Sequence, residues 1–358
     1  MSKIFFTVGP TQIYPEVQEF YREAFEKDIP SIPHRSQAFS EIVRTTIKEL
    51  QKLLNVPDNF YFFFLSSATE CMERTIESLV AFKSTHFVNG YFAKRFNDIA
   101  VQLRRKVQTF TIPFGKNFSF SNYTIDPDSE MICLTLNETS TGVAINPDEI
   151  VNLKKNNPDK IVAVDAVTAF PYYRLTFNYV DVAFFSVQKG FGMPAGLGVL
   201  MVNKNCLTKA HSIIKENVCT GSFNNFINLA EKAEKYQTSV TPNALAIYVL
   251  GRVANMLNNL DPDYITSTTE KKAKLIYDYF DTREDIRPFV EDTNSRSKTT
   301  IVLQVSGNIE HILKKLEHND LIISKGYADF KKQHIRIGNF PMHKIPDVLN
   351  LLYLFKKI

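Results

Sequence analysis

The chain has 358 residues, 44% apolar, 22% charged and 12% aromatic, the composition of a water-soluble globule with room for about two domains. Its 42 Lys and Arg against 38 Asp and Glu leave a net charge of +4, spread without the basic block that would bind nucleic acid or anionic lipid. The longest apolar runs, Tyr61 to Leu65 and Leu197 to Val202, fall far short of the roughly 20 residues that cross a bilayer. The apolar stretch before Gly9-Pro10 is too short for a signal peptide, so a cytoplasmic location and no membrane partner are expected.

From about residue 36 to 240, short apolar runs alternate with amphipathic stretches, the pattern of a mostly parallel sheet with helices on both faces. Phe39, Ile42, Val43, Ile47, Leu50 and Leu54 recur at helical steps. Strands are predicted at Tyr61 to Leu65, His86 to Val88, Val107 to Ile112, Met131 to Leu136, Ile161 to Val164, Val182 to Val187 and Leu197 to Val202. Ser67 and Glu70 have capping-box spacing before a helix carrying Met72, Ile76, Leu79 and Val80 on one face. Asn146-Pro147 is a second helix start, an N-cap followed by proline. The pattern changes near Thr241-Pro242, where two long helices, about Asn243 to Asn259 and Asp263 to Phe280, precede strands at Thr300 to Val305, Leu321 to Ile323 and Ile335 to Ile337. A helix lies between the first two of these strands and another begins at Lys344, which makes a small α+β unit.

Cys71, Cys133, Cys206 and Cys219 lack C-x-x-C spacing and read as small buried hydrophobes. The seven histidines lack the spacings that place two ring nitrogens on one helix face, so no metal is expected.

Asp165 ends one apolar strand and Lys189 follows another, just before a glycine-rich loop. Both charges therefore fall at the carboxyl ends of parallel strands, where open α/β sheets bind ligands. A partly desolvated lysine amine is available for Schiff-base chemistry, and a carboxylate facing a pyridine nitrogen keeps that ring protonated; together they describe a pyridoxal phosphate (PLP) site. A strand-capping Asp-Lys ion pair would have the same spacing. Ser66 to Glu70 opens a helix after a strand, so the free N–H groups of Ala68 and Thr69 can hold a phosphate, although many such helix starts bind nothing. Asn89-Gly-Tyr-Phe-Ala93 offers an aromatic ring, in a chain whose 29 Phe are by default core residues. Leu136 to Gly142 is a polar loop after a strand, or a plain turn.

Taken in order, Val8-Gly-Pro10, His34-Arg-Ser36, Ser67-Ala-Thr69, Asn89-Gly-Tyr-Phe92, Asn137-Glu-Thr139, Val164-Asp-Ala166, Ser186-Val-Gln-Lys-Gly190, Thr241-Pro242 and His334-Ile-Arg-Ile-Gly338 resemble class V aminotransferases of the fold-type I PLP enzymes, over nearly the whole chain. Pro33-His-Arg-Ser36, the Asn-Glu-Thr loop, Gln188 before Lys189 and Met193-Pro-Ala-Gly-Leu197 are most similar to phosphoserine aminotransferases. The resemblance implies an α/β fold with a large PLP-binding domain at 16–242, built on a mostly parallel seven-stranded sheet. A small α+β domain at 243–358 would close on substrate, with residues 1–15 packing near it.

It makes Lys189 the Schiff-base lysine and proton shuttle, Asp165 the partner of the pyridine nitrogen, and Phe92 the stacking ring. Thr139 would bond near the ring hydroxyl; Ala68, Thr69 and Gln188 would serve the phosphate. Ser239 and Thr241 would reach the phosphate in a neighbouring subunit, although Val240 stands where the family has Asn. Arg336 would hold the substrate α-carboxylate, and His34 with Arg35 its distal anion.

The implied activity is transamination of glutamate and 3-phosphohydroxypyruvate in serine biosynthesis, by a cytoplasmic homodimer with shared active sites. The alternatives are an alanine-glyoxylate or serine-pyruvate type of aminotransferase, and a non-catalytic binding module. The module is disfavoured because Lys189, Asp165 and Arg336 are all present. A cysteine desulfurase is disfavoured because no Cys follows Cys219, and a dinucleotide-binding dehydrogenase because Ser66 to Glu70 is not G-x-G-x-x-G. Two positions depart from the phosphoserine pattern. Thr69 replaces an arginine, and Gly326-Tyr-Ala-Asp-Phe330 lacks a His-Arg pair. Each charge-assisted bond so lost is worth about 1.5–3 kcal/mol. Lys94, Arg95, Lys331 and Lys332 are candidates to compensate, which the sequence alone does not place.

Overall fold

The computed structural model describes residues 3–358. In chain order, β1 (Ile4–Phe6) is followed by α1 (Pro15–Glu26), α2 (Gln37–Leu54), β2 (Phe60–Leu65), α3 (Ala68–Leu79), β3 (Lys83–Val88), α4 (Tyr91–Gln102) and β4 (Lys106–Thr111). Next come β5 (Met131–Thr135), the two-stranded hairpin β6 (Asn137–Glu138) and β7 (Val143–Ala144), α5 (Pro147–Asn156), β8 (Ile161–Asp165), β9 (Val182–Ser186) and β10 (Gly198–Asn203). Helices α6 (Cys206–Lys215), α7 (Phe226–Ala233), α8 (Ala244–Asn258) and α9 (Tyr264–Phe280) lead to β11 (Ile286–Pro288) and β12 (Thr300–Val305). The chain ends with α10 (Ile309–Glu317), β13 (Leu321–Lys325), β14 (His334–Gly338) and α11 (Ile345–Phe355).

The seven expected strands form one sheet in the order β2-β10-β9-β8-β5-β3-β4. All are parallel except β10, which runs antiparallel to both β9 and β2. The period-2 alternation of strand side chains sorts the apolar runs onto two faces. Phe62, Phe64, Val164, Phe185, Val199 and Met201 enter a core shared with α2 and α8. Phe63, Leu65, Ala163, Phe184, Leu200 and Val202 enter a second core beneath α3, α4, α6 and α7. Burial on both faces explains why these strands read as continuous apolar runs.

The second sheet has the order β1-β13-β14-β12-β11 and shares a third core with α9, α10 and α11. Its first strand comes from the other end of the chain, because Ile4–Phe6 pairs in parallel with Leu321–Ile323. Met1 and Ser2, at the head of the segment expected to pack near this unit, lie outside the described residues. The three-residue strands β1 and β11 are additions to the expected set, being too short to show a period of their own.

One helix packs on the other side of the expected boundary at residue 243. Ala246, Ile247, Val249, Leu250, Val253, Ala254 and Leu257 of α8 are buried in the large sheet's core. The contact with α2 is close, because a Cβ on Gly251 would lie 2.5 Å from Thr46 Oγ1, and that hydroxyl donates to the Ile247 carbonyl at 3.1 Å. The helical period shows a helix here but not which core its apolar stripe covers. Cys71, Cys133 and Cys206 are buried as expected, whereas Cys219 is exposed.

No described helix is long and apolar enough to cross a membrane. Among the described residues no three His, Cys, Asp or Glu side chains are grouped to hold a metal.

Candidate active site

The carboxyl edge of the large sheet gathers the site. The ends of β2, β3, β5, β8 and β9 lead into α3, α4, the β6-β7 hairpin, Asp165 and Lys189 respectively. A cavity of about 160 Å³ opens there, lined by Ser67, Ala68, Thr69, Met72, Phe92, Arg95, Asn137, Thr139, Asp165, Val167, Ser186, Gln188 and Lys189. Larger clefts lie elsewhere on the surface; the one that also holds lysines, carboxylates and a helix start lies at the amino ends of β5, β8 and β9, opposite the edge where open α/β sheets bind ligands.

Lys189 is 9% exposed, and its Nζ donates to the Val8 carbonyl at 2.8 Å. It is not an ion-pair partner of Asp165, so the strand-capping alternative does not describe this geometry. Burial, with help from the nearby Arg336 guanidinium and against the pull of Asp165, lowers the amine to about 8. The N-terminal segment crosses the site because Gly9 lets it. Gly9 has φ +139°, and a Cβ there would collide with Lys189 Nζ. The Thr11 N–H donates to the Gln188 carbonyl at 3.2 Å, fixing the segment beside the lysine.

Asp165 is 3% exposed and accepts the Val167 N–H at 2.9 Å. Burial pushes its carboxyl up to about 7, opposed by that hydrogen bond and raised further by Glu138. A cationic ring nitrogen facing it would restore the carboxylate, since an opposite charge nearby favours the ionised form.

At the start of α3 the Ser67 hydroxyl accepts the Glu70 N–H at 3.2 Å. The expected capping box is displaced by one residue on its return side: Glu70 Oε2 accepts from the N–H and hydroxyl of Ser66 at 2.8 and 2.6 Å. The first N–H groups of the helix, at Ala68 and Thr69, have no intrahelical acceptor and face the cavity end. β10 holds this cradle in place, because a Cβ on Gly198 would lie 2.5 Å from the Ser67 carbonyl carbon.

Glu138, which in the sequence is one residue of a polar loop, is a fully buried anchor. Its carboxylate accepts the Phe92, Ala93 and Ser140 N–H groups at 3.1, 2.9 and 3.0 Å and the Ser140 hydroxyl at 2.6 Å, tying α4 to the hairpin. Thr139 meets Thr168, their hydroxyls 2.9 Å apart. Arg336 reaches from β14 of the smaller sheet. Its Nε donates to the Lys325 carbonyl at 2.8 Å and its Nη1 to the Thr139 carbonyl at 3.5 Å, with the Tyr327 ring 5.5 Å from Cζ. Burial lowers this guanidinium to about 10.

Ala68, Thr69, Phe92, Thr139, Asp165, Gln188 and Lys189 thus line one cavity. Five expected residues are not in its lining: Arg336, which touches it only through the Thr139 carbonyl, and four more that lie farther off in their own chain. Arg35 is exposed, and its guanidinium donates to the carbonyls of Thr238 at 2.6 Å and Ser239 at 3.5 Å. The Ser239 hydroxyl donates to Asn224 Oδ1 at 2.6 Å, while Thr241 is exposed and His34 half-buried, both outside the cavity. The cavity-lining residues to which the motifs give no role at the site are Met72, Arg95, Asn137, Val167 and Ser186. Only folding shows that Arg95, three residues after Phe92, turns back along α4 to the same opening.

The cavity fits a planar anionic pyridine such as pyridoxal phosphate. The side-chain oxygens of Gln188 and Asn137, both at its wall, are buried without a partner, and the helix N–H groups, the amine and the carboxylate occupy separate sides of one opening. Bound there, the cofactor supplies an electron-withdrawing ring that accepts the electron pair left at the substrate's α-carbon. The protein's part follows from its own groups. α3 offers N–H groups and the positive end of its dipole to a phosphate. Asp165 brings a buried carboxyl that would face a ring nitrogen, Phe92 brings a ring face, and Lys189 brings an amine lowered towards neutrality that would be able to exchange a proton at the α-carbon.

The family profile described as aminotransferase class-V matches residues 5–332. A phosphoserine aminotransferase of Rhodococcus opacus (strain B4) is 24% identical over 350 residues, 97% of this chain and 92% of that protein. An uncharacterized aminotransferase of Helicobacter pylori (strain ATCC 700392 / 26695) is 27% identical over 98% of this chain and 93% of its own length. Among solved structures, a phosphoserine aminotransferase from Cytophaga hutchinsonii ATCC 33406 superposes with a TM-score of 0.96 at 39% identity, covering 99% of this chain and 98% of that one. With the profile spanning most of its length and the lysine, the carboxylate and the phosphate cradle gathered at one sheet edge, the chain belongs to the class-V aminotransferases and is a PLP-dependent transaminase.

Proposed function

We propose that the chain is a phosphoserine transaminase, converting glutamate and 3-phosphohydroxypyruvate to 2-oxoglutarate and phosphoserine in cytoplasmic serine biosynthesis. The observation that carries the reading is Arg336. A guanidinium only 9% exposed, without a carboxylate partner among the described residues and seated against the cavity's own Thr139, suits the α-carboxylate of an amino acid. The 39% identical phosphoserine aminotransferase supports the choice of substrate.

The reading includes a homodimer with shared sites. Arg35 is bonded to the segment that carries Ser239, so candidates that miss the cavity of their own chain lie together on one surface. In this reading His34, Arg35, Ser239 and Thr241 serve the site of a second copy, the first two at the substrate's distal anion and the others at the cofactor phosphate. A large cofactor-holding unit and a smaller unit carrying Arg336 complete it, with α8 assigned to the large unit.

The test is kcat/KM for phosphoserine, glutamate, serine and alanine with their matching 2-oxo acids, together with light scattering. Donors with two acidic groups should win, on a dimer. If alanine with glyoxylate is the best pair, the phosphoserine assignment fails and the small-substrate type of aminotransferase replaces it.

A further inference from the structure

Arg95 lines the catalytic cavity without a carboxylate partner among the described residues. Asp98 on the same helix and Asp329 beside Tyr327 are engaged elsewhere, Asp98 with Lys94 at 2.5 Å and Asp329 with the Tyr91 hydroxyl at 2.5 Å, while Asp165 feels the Arg95 charge without an ion pair. Arg95 packs its guanidinium 5.6 Å from the centre of the Phe92 ring and gives one Nη2 hydrogen bond, at 3.0 Å, to the Tyr327 hydroxyl. Tyr327 belongs to the Gly326 to Phe330 segment, which contains no Lys or Arg of its own. The same tyrosine ring lies against Arg336 at 5.5 Å and Phe92 at 5.1 Å. One phenol therefore stands between two guanidiniums, that of the buried Arg336 on β14 and that of the exposed Arg95 in the cavity lining. Because Tyr327 accepts from Arg95, its own O–H proton remains free to donate to whatever Arg95 holds.

We propose that Arg95, with Tyr327 holding it in place, binds the second acidic group of the substrate, the carboxylate or phosphate farther from the α-carbon. The inference rests on the reading of Arg336 as the α-carboxylate ligand. Arg95 provides a fork of N–H donors at the opening, the geometry that pairs with a carboxylate or phosphate. Phe92 supports the guanidinium face, and Tyr327 limits its swing. Tyr327 is a positioning residue that also offers a hydroxyl proton; Arg95 is the binding residue. A substrate with a methyl or hydroxymethyl end would leave Arg95 where it is, at the edge of water, so discrimination comes from added attraction to the second anion.

The experiment uses the holoenzyme and two non-reacting probes, glutarate and butyrate, which differ by one carboxylate. Binding is measured by calorimetry for the wild type, Arg95→Ala, Arg95→Lys and Tyr327→Phe, with circular dichroism to verify folding. Wild type should bind glutarate more tightly than butyrate, and Arg95→Ala should remove roughly 10- to 100-fold of glutarate affinity, the range for one charge-assisted bond, with butyrate changed less than about three-fold. Arg95→Lys should recover part of the loss because it keeps the charge without the fork. Tyr327→Phe should weaken glutarate more than butyrate. In turnover, Arg95→Ala should raise KM for glutamate and phosphoserine with little change in kcat, and leave alanine nearly untouched.

Cofactor affinity, from titration of the cofactor-free protein with PLP, separates the two phosphates that could sit near Arg95. A large loss of PLP affinity with glutarate binding intact assigns Arg95 to the cofactor and overturns the proposal. Equal weakening of glutarate and butyrate overturns it too, as does a wild type that fails to distinguish them. A wild type that prefers glutamate and phosphoserine while Arg95→Ala keeps that preference refutes the role of Arg95 and leaves the phosphoserine reading standing. A preference for alanine with glyoxylate refutes that reading alone, provided the glutarate arm behaves as expected.

Discussion

Replacing Asp165 by Asn should make the cofactor-free protein lose a pH dependence that the wild type has. In an unfolded chain this carboxyl titrates near 3.8, and in the fold burial pushes it up to about 7. Between those values the unfolded chain has released the proton and the folded one still holds it. Stability therefore falls as pH rises from about 4 to 7, and the loss is complete above the folded value. Each pH unit between the two values is worth about 1.36 kcal/mol, so Asp165 contributes about 4 kcal/mol. Asn keeps the shape and can still accept the Val167 N–H, so its fold should survive. Its new N–H₂ group, if left without an acceptor, costs about 1–3 kcal/mol, which makes the net gain at pH 7.5 smaller than the full amount.

The clean measurement is therefore the difference in slope. Urea unfolding of cofactor-free wild type and Asp165→Asn, at fixed protein concentration and pH 4.5 to 7.5, should show about 3 kcal/mol more decline in the wild type, the part of the shift that falls inside this window. Glu138, whose carboxyl burial also raises, is common to both proteins, so only its repulsion with Asp165, which belongs to the Asp165 effect, enters the difference. Lys189 titrates in the opposite sense and higher. Lowered from 10.5 to about 8, it adds stability as pH rises through that range. Parallel pH profiles would refute the account of Asp165 as a carboxyl strained by burial. With cofactor restored, the variant should lose about 100- to 1000-fold in kcat, the scale of one removed electrostatic partner. An Asp165→Asn enzyme within a few-fold of wild type would remove Asp165 from the ring-nitrogen role.

Two further predictions test the lysine and its neighbour. Lys189→Ala should abolish both turnover and the covalent, borohydride-fixed attachment of cofactor, read by mass spectrometry; residual multiple turnover would mean another amine is used. Gly9→Ala should lower thermal stability by about 1–3 kcal/mol through its positive φ and, with its Cβ directed at the Lys189 amine, reduce the borohydride-fixed fraction. A Gly9→Ala protein as stable and as fully modified as wild type would show that the N-terminal segment does not set the lysine's position.

Local period and chain order encode part of this architecture directly. The seven runs from Tyr61 to Val202 alternate with amphipathic stretches, and apolar burial on both faces follows from that, so the large sheet was legible in the chain alone. Asp165 and Lys189 were legible for the same reason, as charges at the ends of those runs, and the helix start at Ser67 by its cap. Tertiary structure decided everything that depends on which segments meet. It put Ile4–Phe6 beside Leu321–Ile323, α8 against α2, and Val8 against the Lys189 amine. It turned Arg35 towards the Thr238 and Ser239 carbonyls, and joined Arg95 to Tyr327 across 232 residues. An exposed arginine carries no periodic signature, because water accepts it at almost any surface position; its partner is selected only when packing of the two sheets fixes which surfaces face each other.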